Sequence, residues 1–234
     1  MIEIRENLLR VRQRVAQAAS SCGRRPEEVK IIAVSKTFPA CAVEAAATAG
    51  QRAFGENRVQ EAAAKIPLVG YLQPLEWHLI GHLQSNKARK AAALFDWVHS
   101  VDSLKLMSRL DEGAGEAGKV LPVLLQVDLA GEATKSGATV EELRLMLEAA
   151  TTMSHLSVRG LMIIPPYLPD PEEVRPYFRR LRTLRDQLAA GAFRGVALTE
   201  LSMGMSHDFE VAIGEGATMI RVGTAIFGVR GAVE

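Results

Sequence analysis

The chain has 234 residues, with 28 basic against 27 acidic side chains, 48% hydrophobic and 24% charged. That balance excludes disorder, collagen-like repeats and low-complexity scaffolding, and a formal net charge of +1 gives no overall pull toward nucleic acid or lipid. A chain of this length buries about 72% of its extended surface, enough core to need no covalent staple.

The opening segment places Ile4, Leu8, Val11, Val15 and Ala18 on one helical stripe that Gly23 closes. Its arginines, Arg5, Arg10, Arg12, Arg14, Arg24 and Arg25, read as a solvated helix face. The apolar, β-branched run from Lys30 to Lys36 then predicts a strand covered on both faces. Beyond Pro39, the alanine-rich stretch Cys41–Ala49 is a helix ended by Gly50. The alternation continues with a strand at Arg52–Gly55, a helix at Asn57–Lys65, a strand at Glu76–Ile80 and a helix at Ser85–Leu94. Trp97–Val101 is a strand, and Ser103–Glu112 a helix that dissolves in the glycine-rich Gly113–Gly118. Val120–Leu129 is the longest predicted strand, and Thr139-x-x-Glu142 is a capping box opening a helix to Ala150. Val158–Ile163 is a strand, and the proline-rich Pro165–Pro171 leads into a long helix through Leu188. Leu198–Met203 is a strand, Phe209–Ile213 a short helix, Met219–Val222 the last strand, and Ala225 starts a closing helical turn.

About eight strand–helix units behind one extra helix, at the compact end of the size range, predict an α/β fold: a single (β/α)8 TIM barrel over residues 1–234. The competing doubly wound sheet would carry a Gly-x-Gly-x-x-Gly turn after its first strand, and none stands there. Residues 1–15 hold no apolar signal region and no stretch approaches a membrane span, so a cytoplasmic chain is expected. Two cysteines, Cys22 and Cys41, form no disulfide framework and match no metal spacing, which suits a reducing compartment.

In a barrel the reactive groups gather where the strands end at their carboxyl side. Lys36 ends an apolar strand there; a partly desolvated mouth disfavours its charged form and makes the amine a Schiff-base nucleophile, whereas a strand-end lysine can equally snorkel to water. Arg221-Val-Gly-Thr224 puts backbone N–H groups and a hydroxyl at a helix start, a phosphate-binding arrangement. Ser206 reads either as a plain helix cap or as a further donor to that anion. His78 and His82 lie four apart, but in a strand and a loop rather than a helix, and no carboxylate completes a metal set. His99 and His207 read as hydrogen-bonded mouth residues, and Asp128 and Glu56 as acids or bases that neighbouring Arg58 or Lys135 would pair.

The segments Ala33-Val-Ser-Lys-Thr37, Phe54-Gly-Glu-Asn57 with Val59-Gln-Glu61, Trp77-His-Leu-Ile-Gly-His-Leu-Gln-Ser-Asn-Lys87, Gly160-Leu-Met162, Leu201-Ser-Met-Gly-Met-Ser206 with Asp208, and Arg221-Val-Gly-Thr224 with Ile226-Phe-Gly228 resemble, in order, the pyridoxal phosphate homeostasis protein family. That family is a single-domain relative of the alanine racemase barrel. The resemblance implies pyridoxal 5′-phosphate held as a Schiff base on Lys36, its phosphate on Ser206, Gly223 and Thr224, and Arg221 facing the pyridine nitrogen. Asn57, Ile80 and Met203 would line the ring.

A permanently cationic arginine there disfavours pyridine protonation and makes the ring a poorer electron sink, against transamination. Few residues follow Gly228, so the additional β-domain of the racemases is expected to be missing and the mouth open. The resemblance thus implies a monomeric cofactor-binding protein of vitamin B6 homeostasis, with little or no turnover, no metal and no catalytic residue, that hands the cofactor to apo-enzymes. Two rivals stay open: a small amino-acid racemase using Lys36 as one base, and a barrel that binds a phosphorylated metabolite with Lys36 as an aldolase-type amine.

Overall fold

The structure, a computed structural model, describes residues 2–72, 74–129, 137–191 and 193–229. The first helix, α1 (Ile2–Ser21), stops where Gly23 takes a positive φ of 71°. The N–H groups of Gly23 and Arg24 then bond back to the carbonyls of Ser20 and Ala19, the Schellman arrangement for which glycine is suited. Strands and helices alternate from there: β1 (Lys30–Val34), α2 (Ala40–Thr48), β2 (Ala53–Glu56), α3 (Val59–Lys65), β3 (Glu76–Leu79), α4 (Ala88–Leu94), β4 (Trp97–Val101) and α5 (Leu104–Glu116). β5 (Leu121–Gln126), α6 (Val140–Ala150), β6 (Leu156–Met162), α7 (Arg175–Ala190), β7 (Glu200–Met205), α8 (Phe209–Gly214), β8 (Met219–Val222) and α9 (Thr224–Phe227) follow. The eight strands are all parallel and close in chain order, β1 pairing both β2 and β8. The expected barrel with its extra leading helix is what forms.

The side-chain period of two sorts each strand between two environments. Ile32, Ala53, Leu124, Met162 and Met219 form a cluster of their own with Trp97 against it, filling the barrel. The opposite faces join the inner stripes of the helices in one continuous core. α1 is fastened to the outside: the buried Asn7 donates to the Ile226 carbonyl at 2.9 Å, and Arg14 pairs with Glu210 at 2.6 Å and lies over the Phe209 ring. Part of the expected solvated arginine face therefore binds the barrel.

Three expectations on elements are corrected. α5 runs on through Gly113 and Gly115, because a side chain at Gly113 would come within 2.8 Å of the Arg89 backbone and one at Gly115 within 2.9 Å of His155. These glycines let α5 pack closely; they do not end it. The longest strand is β6 with seven residues, since β5 leaves the ladder after Gln126 and keeps one bridge, Val127 to Ala138. The helix expected from Ser85 opens as a 3₁₀ turn, Ser85–Lys87, before α4. The capping box at Thr139 forms as the spacing predicts, with its side chain accepting from the Glu142 N–H and Glu142 accepting from the Thr139 N–H.

Candidate cofactor-binding site

Lys36 sits in the turn just beyond β1, between two residues that are tied down from below. The Ser35 N–H donates to the Gly55 carbonyl at 3.0 Å, and its hydroxyl to Glu56 Oε1 at 2.7 Å. Thr37 holds a positive φ of 68° and donates its N–H to Glu61 Oε1 at 2.5 Å. A threonine in the left-handed region is strained, and the carboxylate bond offsets that cost. The Lys65 ammonium spends its three protons on the Ser35 carbonyl (2.8 Å), Glu56 Oε1 (2.6 Å) and Glu61 Oε1 (3.0 Å). Burial raises the Glu56 carboxyl above its ordinary range, opposed by the bonds from Lys65 and Ser35. Glu56 thus pairs with Lys65 rather than with Arg58; Asp128 has a partner of its own, and Lys135 lies outside the described residues.

The facing wall comes from the ends of β7 and β8. Ser206 Oγ accepts from the Gly223 and Ala225 N–H groups, each at 3.2 Å. Ser206 is therefore not a cap of its own helix: the residue at the head of α8 is Asp208, whose carboxylate takes the Met205 N–H at 2.6 Å. Arg221 is nearly fully buried, donating from Nη1 to Ser202 Oγ at 2.7 Å and from Nη2 to the Ile163 carbonyl at 2.8 Å. Burial lowers its guanidinium to about 10, still well above neutral pH.

Between these walls lies a cavity of about 300 Å³ at the carboxyl end of the barrel, lined by Lys36, Asn57, Ile80, Ser206, Arg221, Gly223 and Thr224. Gly81 lets Asn57 approach, since a Cβ there would fall 2.4 Å from the Asn57 carbonyl oxygen. Met203 is not on this wall. It is fully buried in the core outside the barrel, and Met205 lines the cavity instead. Gly204, with φ of 90°, breaks the alternation of β7 where its register against β8 shifts.

Sequence reasoning missed Ile164 and Tyr167, which reach the cavity from the proline-rich loop after β6, a segment without periodicity to read. His207 does stand at the mouth, 5.1 Å from the Tyr167 ring and donating toward the Leu168 and Pro169 carbonyls. His99 does not: it is fully buried inside the barrel, bonded to His78 and Ser202. His78 and His82 part company as well, His82 being exposed and paired with Asp102 at 3.4 Å. Among the described residues no group of three ligating side chains could hold a metal.

The donor set fits an aromatic aldehyde bearing a phosphate. An amine stands on one side, backbone N–H groups with two hydroxyls on the other, and a buried guanidinium at the base. The Gly223 and Ala225 N–H groups, spanned by one serine oxygen, show where an anionic oxygen finds donors.

Residues 4–231 match the family of the alanine racemase N-terminal domain. A pyridoxal phosphate homeostasis protein of Pseudomonas aeruginosa is 48% identical over 98% of this chain and 97% of its own length. The protein of that description from Escherichia coli K12 is 45% identical, covering 98% of each chain. Among solved structures, PipY of Synechococcus elongatus PCC7942 with pyridoxal phosphate bound superimposes with a TM-score of 0.82 at 47% identity, over 92% of this chain and all of that one. With its parallel barrel and these full-length likenesses, the chain belongs to the alanine racemase N-terminal domain family and, within it, to the pyridoxal phosphate homeostasis proteins.

Proposed function

We propose that this chain, as a single domain, binds pyridoxal 5′-phosphate at the barrel mouth and keeps it available in vitamin B6 homeostasis, with little or no catalytic turnover. The carrying observation is that Lys36, Ser206, Arg221, Gly223 and Thr224 line one cavity. That cofactor would supply an aldehyde, and Lys36, the amine lining the cavity, would hold it covalently with loss of water. Ser206, Gly223 and Thr224 would receive the phosphate, where backbone N–H groups favour an anion. Asn57 and Ile80 would flank the ring, and Arg221 would face its nitrogen. A guanidinium that stays cationic there would leave the ring nitrogen unprotonated and the ring a weak electron sink, which supports holding over transformation. The name shared by close relatives and the PipY complex support the reading.

We further propose a cytoplasmic monomer that hands the cofactor to apo-enzymes; no helix among the described residues is long and apolar enough to cross a membrane. Absorbance spectra test the site. After added pyridoxal phosphate and removal of the unbound excess, the protein should be yellow and Lys36→Ala colourless, and an unchanged band in the variant would overturn the lysine assignment. A chiral assay with free amino acids should show no robust interconversion; sustained turnover would return the reading to a racemase.

A further inference from the structure

Behind the mouth, Arg221, Ser202, His99 and His78 run down the inside of the barrel in one hydrogen-bonded file. Arg221 Nη1 donates to Ser202 Oγ at 2.7 Å. Ser202 Oγ lies 2.9 Å from His99 Nδ1, and His99 Nε2 lies 2.9 Å from His78 Nδ1. Beyond it, His78 Nε2 lies 3.5 Å from Glu76 Oε1, close to the carboxylate but without a hydrogen bond to it. The Glu76 carboxylate takes the Lys30 ammonium at 2.8 and 2.9 Å, at the strand starts, away from the mouth. Ser202, His99 and His78 are inaccessible to water, and Arg221 nearly so.

We infer that this file carries a single proton order, running from Arg221 to His78, and that Ser202 and His99 are positioning residues that hold the Arg221 guanidinium at the mouth. The order follows from the Arg221 end, since a guanidinium only donates; the carboxylate beyond His78, which is not bonded to it, favours the same sense by its charge. With one lone pair of Ser202 Oγ taken by Arg221, the serine proton has His99 Nδ1 as its acceptor. His99 then carries its own proton on Nε2, aimed at His78 Nδ1, and His78, with Nδ1 accepting, carries its proton on Nε2, on the side of the Glu76 carboxylate. His78 Nε2 lacks a hydrogen bond in either order; the reverse order in addition strands the buried serine proton and turns a ring lone pair toward the carboxylate, which is costly. Burial drives both rings toward the neutral form that the order requires. With Nη1 held by this file and Nη2 held by the Ile163 carbonyl, the guanidinium is fixed by its inner edge.

The consequence for cofactor retention rests on the function proposed above; the proton order does not. Nitrogen-15 NMR of the wild-type protein without added cofactor, at pH 7, reads the order directly. His78 and His99 should both appear as neutral rings protonated on Nε2, and either ring found as the Nδ1–H tautomer or as an imidazolium overturns it. Arg221 should give separate, slowly exchanging Nη signals that collapse in Ser202→Ala; signals unchanged in the variant overturn the positioning role. With pyridoxal phosphate loaded, Ser202→Ala should release it about tenfold faster, as loss of one hydrogen bond to a charged group implies, and should shift the bound absorbance maximum. Wild-type release and spectrum in that variant count against the role. A wild-type protein that takes up no cofactor overturns the proposed function and leaves the NMR result standing.

Discussion

Beneath Lys36 the protein buries full charges; beneath Arg221 it buries neutral rings and a hydroxyl. The Lys65 ammonium is enclosed by two carboxylates and a carbonyl at the ends of β1 and β2, where Glu61 remains 26% exposed to water. His99 and Ser202 lie inside the barrel with no exposure at all. The difference follows from the cost of desolvation. At the rim, a compact ammonium with three donors can pin a carbonyl and two carboxylates and keep one partner hydrated. In the interior further ions would lose all hydration, so the groups bonded in file behind Arg221 are neutral, and the nearest carboxylate, Glu76, stands beyond His78 where water still reaches it. Each construction stands behind one cavity-lining residue without lining the cavity itself.

The largest effect that would break this contrast is at the rim. Lys65→Met leaves Glu56 buried without its counter-ion and should cost about 3–5 kcal/mol in urea denaturation. The paired change Glu56→Leu with Lys65→Met should recover a large part of that loss, since removing both charges removes the penalty; a double variant no better than the single one would show that packing rather than charge dominates there. In the interior, His99→Leu should cost less, about 1–3 kcal/mol, because it strands only neutral partners. A loss as large as that of Lys65→Met would erase the distinction.

The smallest effect concerns the carboxylate beyond the far end of the interior file. Burial would raise the Glu76 carboxyl, but His78 close by and the Lys30 ammonium outweigh it and hold it down to about 2. Its folded value lies below the unfolded value of about 4.3, so its contribution is fully present above that pH and is lost as pH falls from about 4.3 toward 2. With screening at a partly exposed pair, roughly 1–2 kcal/mol is at stake. Thermal melts across that window should show the wild-type advantage over Lys30→Met shrink as the pH falls; a constant difference would mean that the pair is electrostatically idle.

Much of this arrangement was legible in the residues. Strands β4 and β8 begin and end at the residues the sequence predicts, and the capping box at Thr139 needed only four adjacent positions. Lys36 and the Gly223–Thr224 turn could be placed at one mouth because a parallel barrel brings every strand end to the same face. What escaped was set by contacts distant in sequence. Ser206 looks like a local cap, yet its oxygen is engaged 17 and 19 residues away. Met203 and Met205 exchange roles through the single positive φ at Gly204. Glu56 finds Lys65 rather than the adjacent Arg58 because α3 carries Lys65 back over the end of β2. Gly113 resembles a helix end until α4 is seen packed against it.

The account turns on one amine. Borohydride reduction of the cofactor-loaded protein, followed by peptide mass mapping, makes the attachment permanent and locates it. The pyridoxyl group should be found on the peptide carrying Lys36 and nowhere else at stoichiometric yield. Full labelling of another lysine, with the Lys36 peptide unmodified, would contradict the account.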